Sequence, residues 1–310
     1  MITAFFYTIP TFTVYRLLLS VFDIIKSLQL SLLHMGFIQL DSRWQYDNVI
    51  SPFSRLYLIT AGEGWVLHNG QKFILKPGYL YLIPSFTYSR YHCDQFLEQY
   101  YISFFDELQE GLSIYDLKSM AYEVEASPID YALMERLLAQ NPGRAITESD
   151  PKTYDNRPEV LPFNQPKSTQ SMSAYVETHG ILLQLFSRFL GAENDKDQQR
   201  AKGFHQLASV LQYIESHLHE KLTVEQLARK ANLNADYFSR LFLSIVGIRP
   251  MDYLINKRLE RAQRLMMTSS MALKSVAESV GIPSIYYFSR LFKRRFGSPP
   301  GQYRETAWHM

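Results

Sequence analysis

The sequence predicts an α+β protein of two domains, with a strand-rich N-terminal part and an all-α C-terminal part. Short apolar runs separated by turn signals fill residues 36–105. Amphipathic helical patterns fill the last hundred residues, where one hexapeptide occurs twice. At 310 residues the chain is long enough for two domains of roughly 100–200 residues each.

Short strands of even spacing predict an all-β sandwich or barrel over residues 35–105. Asn69-Gly70 is a strong hairpin signal, because both residues tolerate positive φ. The predicted strands are Arg55–Thr60, Trp65–His68, Lys72–Lys76, Tyr79–Ile83, Tyr88–His92 and Leu97–Phe104.

Residues 1–34 are predicted to be an N-terminal extension. Apolar residues recur at helical spacing from Val14 to Leu33, and Arg16, Asp23 and Lys26 interrupt the run. A spanning helix needs about 20 apolar residues, so we expect an amphipathic helix that packs on the protein and no transmembrane segment. A helix lying on a membrane surface is the alternative, and Met35 is a second candidate for the first residue.

Residues 106–190 are predicted to be a segment of helices and loops that serves dimerisation. Helical patterns cover Asp130–Ala139 and Ser173–Leu190, with a proline-rich loop between them. The polar residues 191–202 are predicted to be a linker, and 203–310 the C-terminal domain.

Charge is distributed unevenly between the two parts. Residues 203–310 contain 15 Lys and Arg against 8 Asp and Glu, a balance of +7. Residues 1–202 contain 17 against 22, a balance of −5, so the whole chain carries +2. This asymmetry is typical of a nucleic-acid-binding part joined to a neutral or acidic part.

The single cysteine, Cys93, permits no internal disulfide, and no Cys/His cluster has zinc spacing. We expect a buried or loop thiol, a cytoplasmic location and no cofactor or metal.

The C-terminal part contains an internal repeat. Tyr237–Phe242 recurs letter for letter as Tyr287–Phe292, at an offset of 50 residues. Leu227-Ala228 matches Val276-Ala277 at an offset of 49, so the second turn is one residue longer. Matching residues flank the hexapeptide, namely Gly247 and Gly297, Pro250 and Pro300, and Tyr253 and Tyr303.

Each copy predicts a helix, a short turn and a second helix, which is the pattern of a DNA-binding helix-turn-helix unit. Asn234 and Ser284 are the expected caps of the second helices. A packed helical hairpin that serves as a protein-interaction adaptor is the alternative. The intervening helix, 250–267, would be about 25 Å long and could hold the two units about one DNA turn, ~34 Å, apart.

Helical spacing buries a phenylalanine-rich stripe and turns the opposite face outward. Arg240 and Arg290 occupy equivalent outward positions, from which Arg can bind guanine. The candidate base contacts are Asp236, Tyr237, Ser239, Arg240, Ile285, Tyr286, Ser289 and Arg290. The candidate phosphate contacts are Thr223, Lys257, Arg258, Lys293 and Arg294.

Residues Phe204–Arg304 resemble the DNA-binding domain of the AraC/XylS family, which has seven helices and two helix-turn-helix units joined by a long helix. The residues that carry the resemblance are Gly281-Ile282, Phe288–Lys293, Phe296-Gly297 and Pro299–Arg304. It implies base contacts from the outward positions. Asp236, which is acidic, and Ile285, which is apolar, depart from what DNA favours.

Residues Ser54–Tyr100 are similar to the cupin-like sensor domain of the same family, through Leu58–Gly64 and Pro77–Tyr79. No His-x-His pair exists, so no metal site is expected. Aromatic faces with hydroxyl tips suit sugars, and Ser173–Leu190 resembles the helix that pairs sensor domains in dimers. The candidate effector-binding residues are Trp44, Tyr57, Trp65, Tyr81, Tyr88, His92 and Tyr100.

These observations together predict a transcriptional activator, not an enzyme, controlled by a small-molecule effector. The expected partners are double-stranded DNA, a carbohydrate-like effector, a second copy of the chain and RNA polymerase. The alternative is a metal-independent cupin-type sugar-binding protein or isomerase with a helical interaction appendix.

Overall fold

The structure, a computed structural model, describes residues 25–108, 113–146, 171–191 and 195–308. Its N-terminal part is an antiparallel sheet with the strand order β1-β6-β3-β5-β7, in which β2 pairs with β6 and β4 with β3. The strands are β1 Gln29–Asp41, β2 Gln45–Val49, β3 Ser54–His68, β4 Gln71–Leu75, β5 Tyr79–Ile83, β6 Ser89–Glu107 and β7 Glu123–Glu125.

Alternation along the strands gives the sheet two apolar faces. On one face Leu56 and Leu58 belong to a cluster that includes residues of three helices. On the other face Tyr57 and Ile59 join a cluster made of sheet residues, and we call this the interior face. Because both faces of the sheet are covered, the sequences of its strands are nearly continuous runs of apolar residues.

Strand β3 joins two runs that the sequence separates at Ala61-Gly62. The register shifts between Ile59 and Ala61 and again between Gly62 and Gly64, so the strand passes through bulges instead of ending. Gly62 has φ +76°, and a Cβ there would lie 2.2 Å from the carbonyl oxygen of Phe96. Predicted strands Tyr88–His92 and Leu97–Phe104 likewise belong to the single strand β6.

The hairpin between β3 and β4 has the predicted two-residue turn. Asn69 and Gly70 have φ of +51° and +73°. Positive φ at both positions is the requirement of a type I′ turn.

The predicted helix from Val14 to Leu33 is wrong at its C-terminal end, because residues 29–33 lie in β1. Leu28 and Leu32 are four residues apart, a spacing that fits one helix face and also one strand face. In the structure Leu30 and Leu32 share a sheet face, and Met35 lies within the strand, paired with Ile102. The sheet therefore begins at residue 29 and not at 35, and most of the predicted helix lies outside the described residues.

In the described residues three helices accompany the sheet, namely α1 Ile114–Leu117, α2 Pro128–Gln140 and α3 Met172–Ser187. Helices α2 and α3 lie close to the predicted bounds, and Met134 and Phe186 bury their side chains with the first sheet face. Strand β7 and helix α1 were not predicted, because three or four residues are too few for a periodic pattern.

Seven helices make up the C-terminal part that the structure describes. They are α4 Asp195–Ser216, α5 Val224–Lys230, α6 Ala235–Val246, α7 Pro250–Thr268, α8 Leu273–Ser279, α9 Ile285–Phe296 and α10 Pro300–Trp308. The predicted linker 191–202 is wrong from Asp195 onward, where α4 begins. Lys, Gln, Arg and Ala fill that stretch, and these residues favour helix although their polarity is that of a linker.

Helix α7 takes part in two separate cores. Tyr253 and Leu254 pack with α4, α5 and α6. Leu259, Ala262 and Met266 pack with α8 and α9. One rigid helix therefore joins two small helical units. In the described part of the chain no helix is long and apolar enough to cross a membrane.

Candidate nucleic-acid interface

The first helical unit consists of α5, a short turn and α6. Thr223 and Gln226 form a capping box at the start of α5. Asn232 in the turn has φ +58°, and the Leu233 N–H donates to the Ala228 carbonyl oxygen at 2.9 Å. The left-handed residue and the six-to-one bond are the features of a Schellman motif, which ends one helix and redirects the chain.

The second unit repeats this geometry in α8 and α9. Gly281 has φ +75°, and the Ile282 N–H donates to the Ala277 carbonyl oxygen at 2.9 Å. Pro283 follows as the additional residue, and the Ser284 hydroxyl accepts from the Tyr287 N–H at 3.3 Å. In the first unit Asn234 Oδ1 accepts the corresponding bond from Tyr237 at 2.8 Å. Both predicted caps are present.

Each second helix, α6 or α9, buries phenylalanines and exposes its opposite face. Phe238 and Phe242 are fully buried in one core, and Phe288 and Phe292 in the other. These rings are core and not a stacking surface for bases. Because the two hexapeptides are identical and begin at equivalent caps, Arg240 and Arg290 have equivalent positions, and both are exposed.

The other candidate base contacts differ in exposure. On α6, Asp236 and Tyr237 are exposed, whereas Ser239 is half-buried and its hydroxyl donates to the Ala235 carbonyl oxygen at 2.8 Å. On α9, Tyr286 is 87% exposed, and Ile285 and Ser289 are half-buried.

Tyr287 on α9 is an additional exposed residue. Its ring centroid lies 5.3 Å from the guanidinium carbon of Arg290, within cation–π range. The sequence signal for it is the i, i+3 spacing of an aromatic and an arginine on one helix face.

The candidate phosphate contacts divide into two groups. Lys293 and Arg294 are exposed in the last turn of α9. Thr223, Lys257 and Arg258 are engaged within the protein. The Thr223 hydroxyl caps α5, and the Arg258 guanidinium donates to the carbonyl oxygens of Leu218 and Glu220.

Lys257 faces the sheet part of the molecule. Its side chain is 17% exposed, and Nζ lies 3.2 Å from Oε2 of Glu260. Burial acts to lower the pKa of Lys257, but Glu260 and the neighbouring acids outweigh it and raise that pKa. Arg295, the third basic residue of its run, also turns toward the sheet and donates to the Phe86 carbonyl oxygen at 3.3 Å.

The candidate effector-binding residues do not converge on one site. Trp44, Tyr57 and Tyr81 lie together on the interior face. Trp65 and His92 stack on each other with centroids 5.1 Å apart, next in sequence to the interior residues Val66 and Tyr91.

The remaining two candidates lie elsewhere on the sheet. Tyr88 is exposed, and Tyr100 packs on Phe37. The cavity beside Trp44 and Tyr57 has a volume of about 20 Å³. That is space for one water, and a sugar would have to displace side chains.

His68 and Cys93 of the sheet are buried among other side chains, where they serve packing. His68 is buried and stacks on Phe73, and its burial lowers its pKa to about 4. Among the described residues no three His, Cys, Asp or Glu side chains are grouped so as to hold a metal ion. Cys93 is a buried free thiol, as expected, and burial raises its pKa, which disfavours the nucleophilic thiolate.

Comparison with known proteins identifies the class of the helical part. The family described as "Helix-turn-helix domain" matches residues 227–306. The uncharacterised regulator YobQ of Bacillus subtilis is 36% identical over 104 residues, which cover 34% of this chain and 43% of YobQ. The Msm operon regulatory protein of Streptococcus mutans is 23% identical over 92% of this chain and 95% of its own length.

Among solved structures, the DNA-binding domain of AdpA in complex with a target DNA is 38% identical. The match covers 32% of this chain and 90% of that domain, with a TM-score of 0.32. The chain spans less than half the length of YobQ and about a third of the MmsAB operon regulatory protein of Pseudomonas aeruginosa. The C-terminal part of the chain therefore contains an AraC-type helix-turn-helix domain, which matches the corresponding part of proteins named as transcriptional regulators.

Proposed function

We propose that residues 203–310 form a DNA-binding domain whose helices α6 and α9 each enter a major groove. The observation that carries this proposal is the repeated turn geometry, which presents Arg240 and Arg290 at equivalent exposed positions. Helix α7 has 19 residues and therefore spans about 28 Å, close to the ~34 Å that separates successive major grooves.

The two units would read different base pairs. Arg240 and Arg290 bind guanine bidentately in this proposal. Their neighbours differ, with Asp236 in one unit and Tyr286 in the other, so one chain would recognise an asymmetric site. Lys293 and Arg294 add phosphate contacts to the second unit, which we expect to contribute more of the affinity.

We also propose that the protein acts as a dimer through α2 and α3. Met172, Tyr175 and Val176 share one face of α3 by their i, i+3, i+4 spacing. They are 83%, 53% and 62% exposed, and Ile129 on α2 is 56% exposed. Apolar side chains in such a group favour burial against a second copy.

The regulatory part of the proposal is a small-molecule effector bound by residues 29–190, with a sugar as the first candidate. The effector would change how the two helical units meet DNA, and the regulator would activate transcription through a contact with RNA polymerase. Such control requires that the effector bind two states of the protein differently.

Selection of binding sites from a random DNA pool by the full-length chain tests the DNA-binding proposal. We expect one asymmetric site, with an affinity that falls steeply with salt because phosphate contacts release counterions. A chain that selects no sequence and shows no salt dependence would instead be an adaptor. A sugar isomerase activity in the absence of DNA would favour the enzyme alternative.

A further inference from the structure

A large cleft separates the sheet from the helical units. Its volume is about 610 Å³, whereas the interior cavity of the sheet has about 20 Å³. Ligand pockets usually measure about 300–1,000 Å³ and often lie between domains. The sheet contributes Ser85, Thr87 and Asp106 to the walls, and the helical part contributes Asn256, Lys257 and Arg261.

The charges that line the cleft nearly balance. Among the described residues five acidic ones line it, namely Asp106, Glu107, Asp116, Glu215 and Glu260. Four basic residues face them, namely Lys257, Arg261, Arg264 and Arg295. Ion pairs join Lys257 to Glu260 at 3.2 Å and Arg264 to Glu107 at 3.6 Å. A ligand with a large net charge of either sign would meet like charges in this cleft.

Both hydrogen-bond donors and hydrogen-bond acceptors line the walls of the cleft. Carboxylates accept, guanidinium and ammonium groups donate, and hydroxyls such as those of Thr87 and Tyr115 do both. A sugar hydroxyl also donates and accepts, so it can bond to an acid on one side and a base on the other. Neutral polyhydroxylated molecules therefore fit this lining better than apolar or strongly ionic ones.

Two carboxyl groups of the cleft are held where ionisation is unfavourable. Burial raises the pKa of Asp106 to about 6, although the Ser54 hydroxyl donates to it at 2.9 Å. Burial also raises the pKa of Glu215. Hydroxyl donors from a bound molecule would stabilise both carboxylates.

The cleft also touches the residues that join the sheet to the second helical unit. Arg295 on α9 donates to the Phe86 carbonyl oxygen and lies 4.0 Å from Oε1 of Glu260. Phe86 has φ +53°, a strained conformation for a residue other than glycine. Nearby, Gln263 donates to the Ile50 carbonyl oxygen at 2.9 Å. A ligand that bonds to Glu260 or Arg295 would therefore change the contacts that hold α9 against the sheet.

We propose that this cleft, and not the interior face of the sheet, is the effector site, and that it binds a neutral polyhydroxylated molecule of mono- to disaccharide size. The inference rests on the proposed regulatory function and gives that function a location and a ligand class. Occupancy would change the Lys257–Glu260–Arg295 contacts and with them the placement of α9.

Calorimetric titration of the full-length protein with glucose, galactose, sucrose and maltose, in the absence of DNA, tests the proposal. We expect at least one of these sugars to bind. Asn256→Trp fills the cleft from α7, and Thr87→Trp fills it from the sheet. Each should weaken that binding by about tenfold or more.

Two controls distinguish binding in the cleft from binding at the interior face and from a general effect of a new tryptophan. Gln212→Trp places the same side chain on an exposed position of α4 outside the cleft and should leave sugar affinity unchanged. Tyr57→Phe removes a hydroxyl from the interior face and should also leave it unchanged. Loss of binding in Tyr57→Phe with full binding in both cleft variants would overturn the location, and no binding by any of the four sugars would overturn the ligand class.

The same variants distinguish this inference from the DNA-binding proposal. A sugar that binds in the cleft should change the affinity of the wild-type protein for its selected DNA, and DNA should change sugar affinity by the same factor. Asn256→Trp should bind DNA without responding to the sugar. A protein that binds the sugar in the cleft but no DNA would refute the proposed function and leave the cleft as a binding site.

Discussion

Replacement of Gly281 by alanine should destabilise the protein more than the same replacement of Gly247, the glycine that ends α6. The residue has φ +75°, and a Cβ there would lie 2.4 Å from the carbonyl oxygen of Leu218 and 2.8 Å from the guanidinium of Arg258. A left-handed conformation costs about 1–2 kcal/mol for a residue with a Cβ. Overpacking against backbone costs about 1–3 kcal/mol more, so we expect a total of about 2–5 kcal/mol.

Gly247→Ala is the matched control for the conformational part of this cost. Gly247 has φ +82° and ends α6, but no atom of the described residues lies within 4 Å of the position that its Cβ would take. It should therefore lose only the ~1–2 kcal/mol of backbone strain. Asn232→Gly, at the turn position equivalent to Gly281, should change stability little, because the native residue already has φ +58°.

Urea unfolding followed by the helical circular dichroism signal measures these differences. The larger loss in Gly281→Ala would come from displacing Arg258 and the turn at Leu218 that follows α4, because their hydrogen bond joins the two helical units. Equal losses in Gly281→Ala and Gly247→Ala would refute the close approach of the second turn to Leu218.

Three further outcomes follow from buried and capping groups. The pKa of Asp106 is raised from 3.8 to about 6 in the folded protein, so the folded state holds the proton more tightly than the unfolded state. The free energy of unfolding should therefore fall by about 3 kcal/mol as the pH rises from 3.8 to 6. Asp106→Asn should lack this fall. Urea titrations of both proteins at several pH values would show a difference in unfolding free energy that is constant below pH 3.8 and changes between pH 3.8 and 6. His68 acts in the opposite direction, because its lowered pKa of about 4 means that stability is lost as pH falls from 6.5, and His68→Gln should remove that loss. Asn234→Ala and Ser284→Ala should each cost about 1 kcal/mol through loss of a cap, whereas Ser275→Ala, at an exposed position in α8, should cost little in the same assay.

The helical part could be predicted from the sequence because its signals are local. The repeated hexapeptide, the caps Asn234 and Ser284 and the stripe of phenylalanines all depend on residues a few positions apart. The expected caps Asn234 and Ser284 stand at the starts of α6 and α9 in the structure. The additional turn residue, Pro283, was visible as the change of offset between the copies.

The sheet was predicted less completely because its long strands depend on non-local pairing. The glycine at position 62 predicts the end of a strand, but β3 pairs with β6 on both sides of it and continues through the bulge. Leu28 and Leu32 have a spacing that a helix face and a strand face share, and only their burial in the cluster with α2 and α3 distinguishes the two.

The cleft could not be predicted, since its residues come from distant parts of the sequence. Asp106, Thr87 and Lys257 meet only when the sheet and α7 come together. For the same reason the sequence offers Lys257 and Arg258 as phosphate contacts, whereas in the structure Lys257 pairs with Glu260 and Arg258 bonds to Leu218 in the turn after α4.

Binding of the selected DNA site by Arg240→Ala and Arg290→Ala is the most direct test of the claim that both helical units read bases. Each variant should lose about 1–3 kcal/mol, or roughly 5- to 150-fold in affinity, and relax its preference at one position of the site. Arg43→Ala, which removes the same charge from the surface of the sheet, should bind like the wild type. Unchanged affinity and sequence preference in both helix variants would contradict the assignment of α6 and α9 as recognition helices.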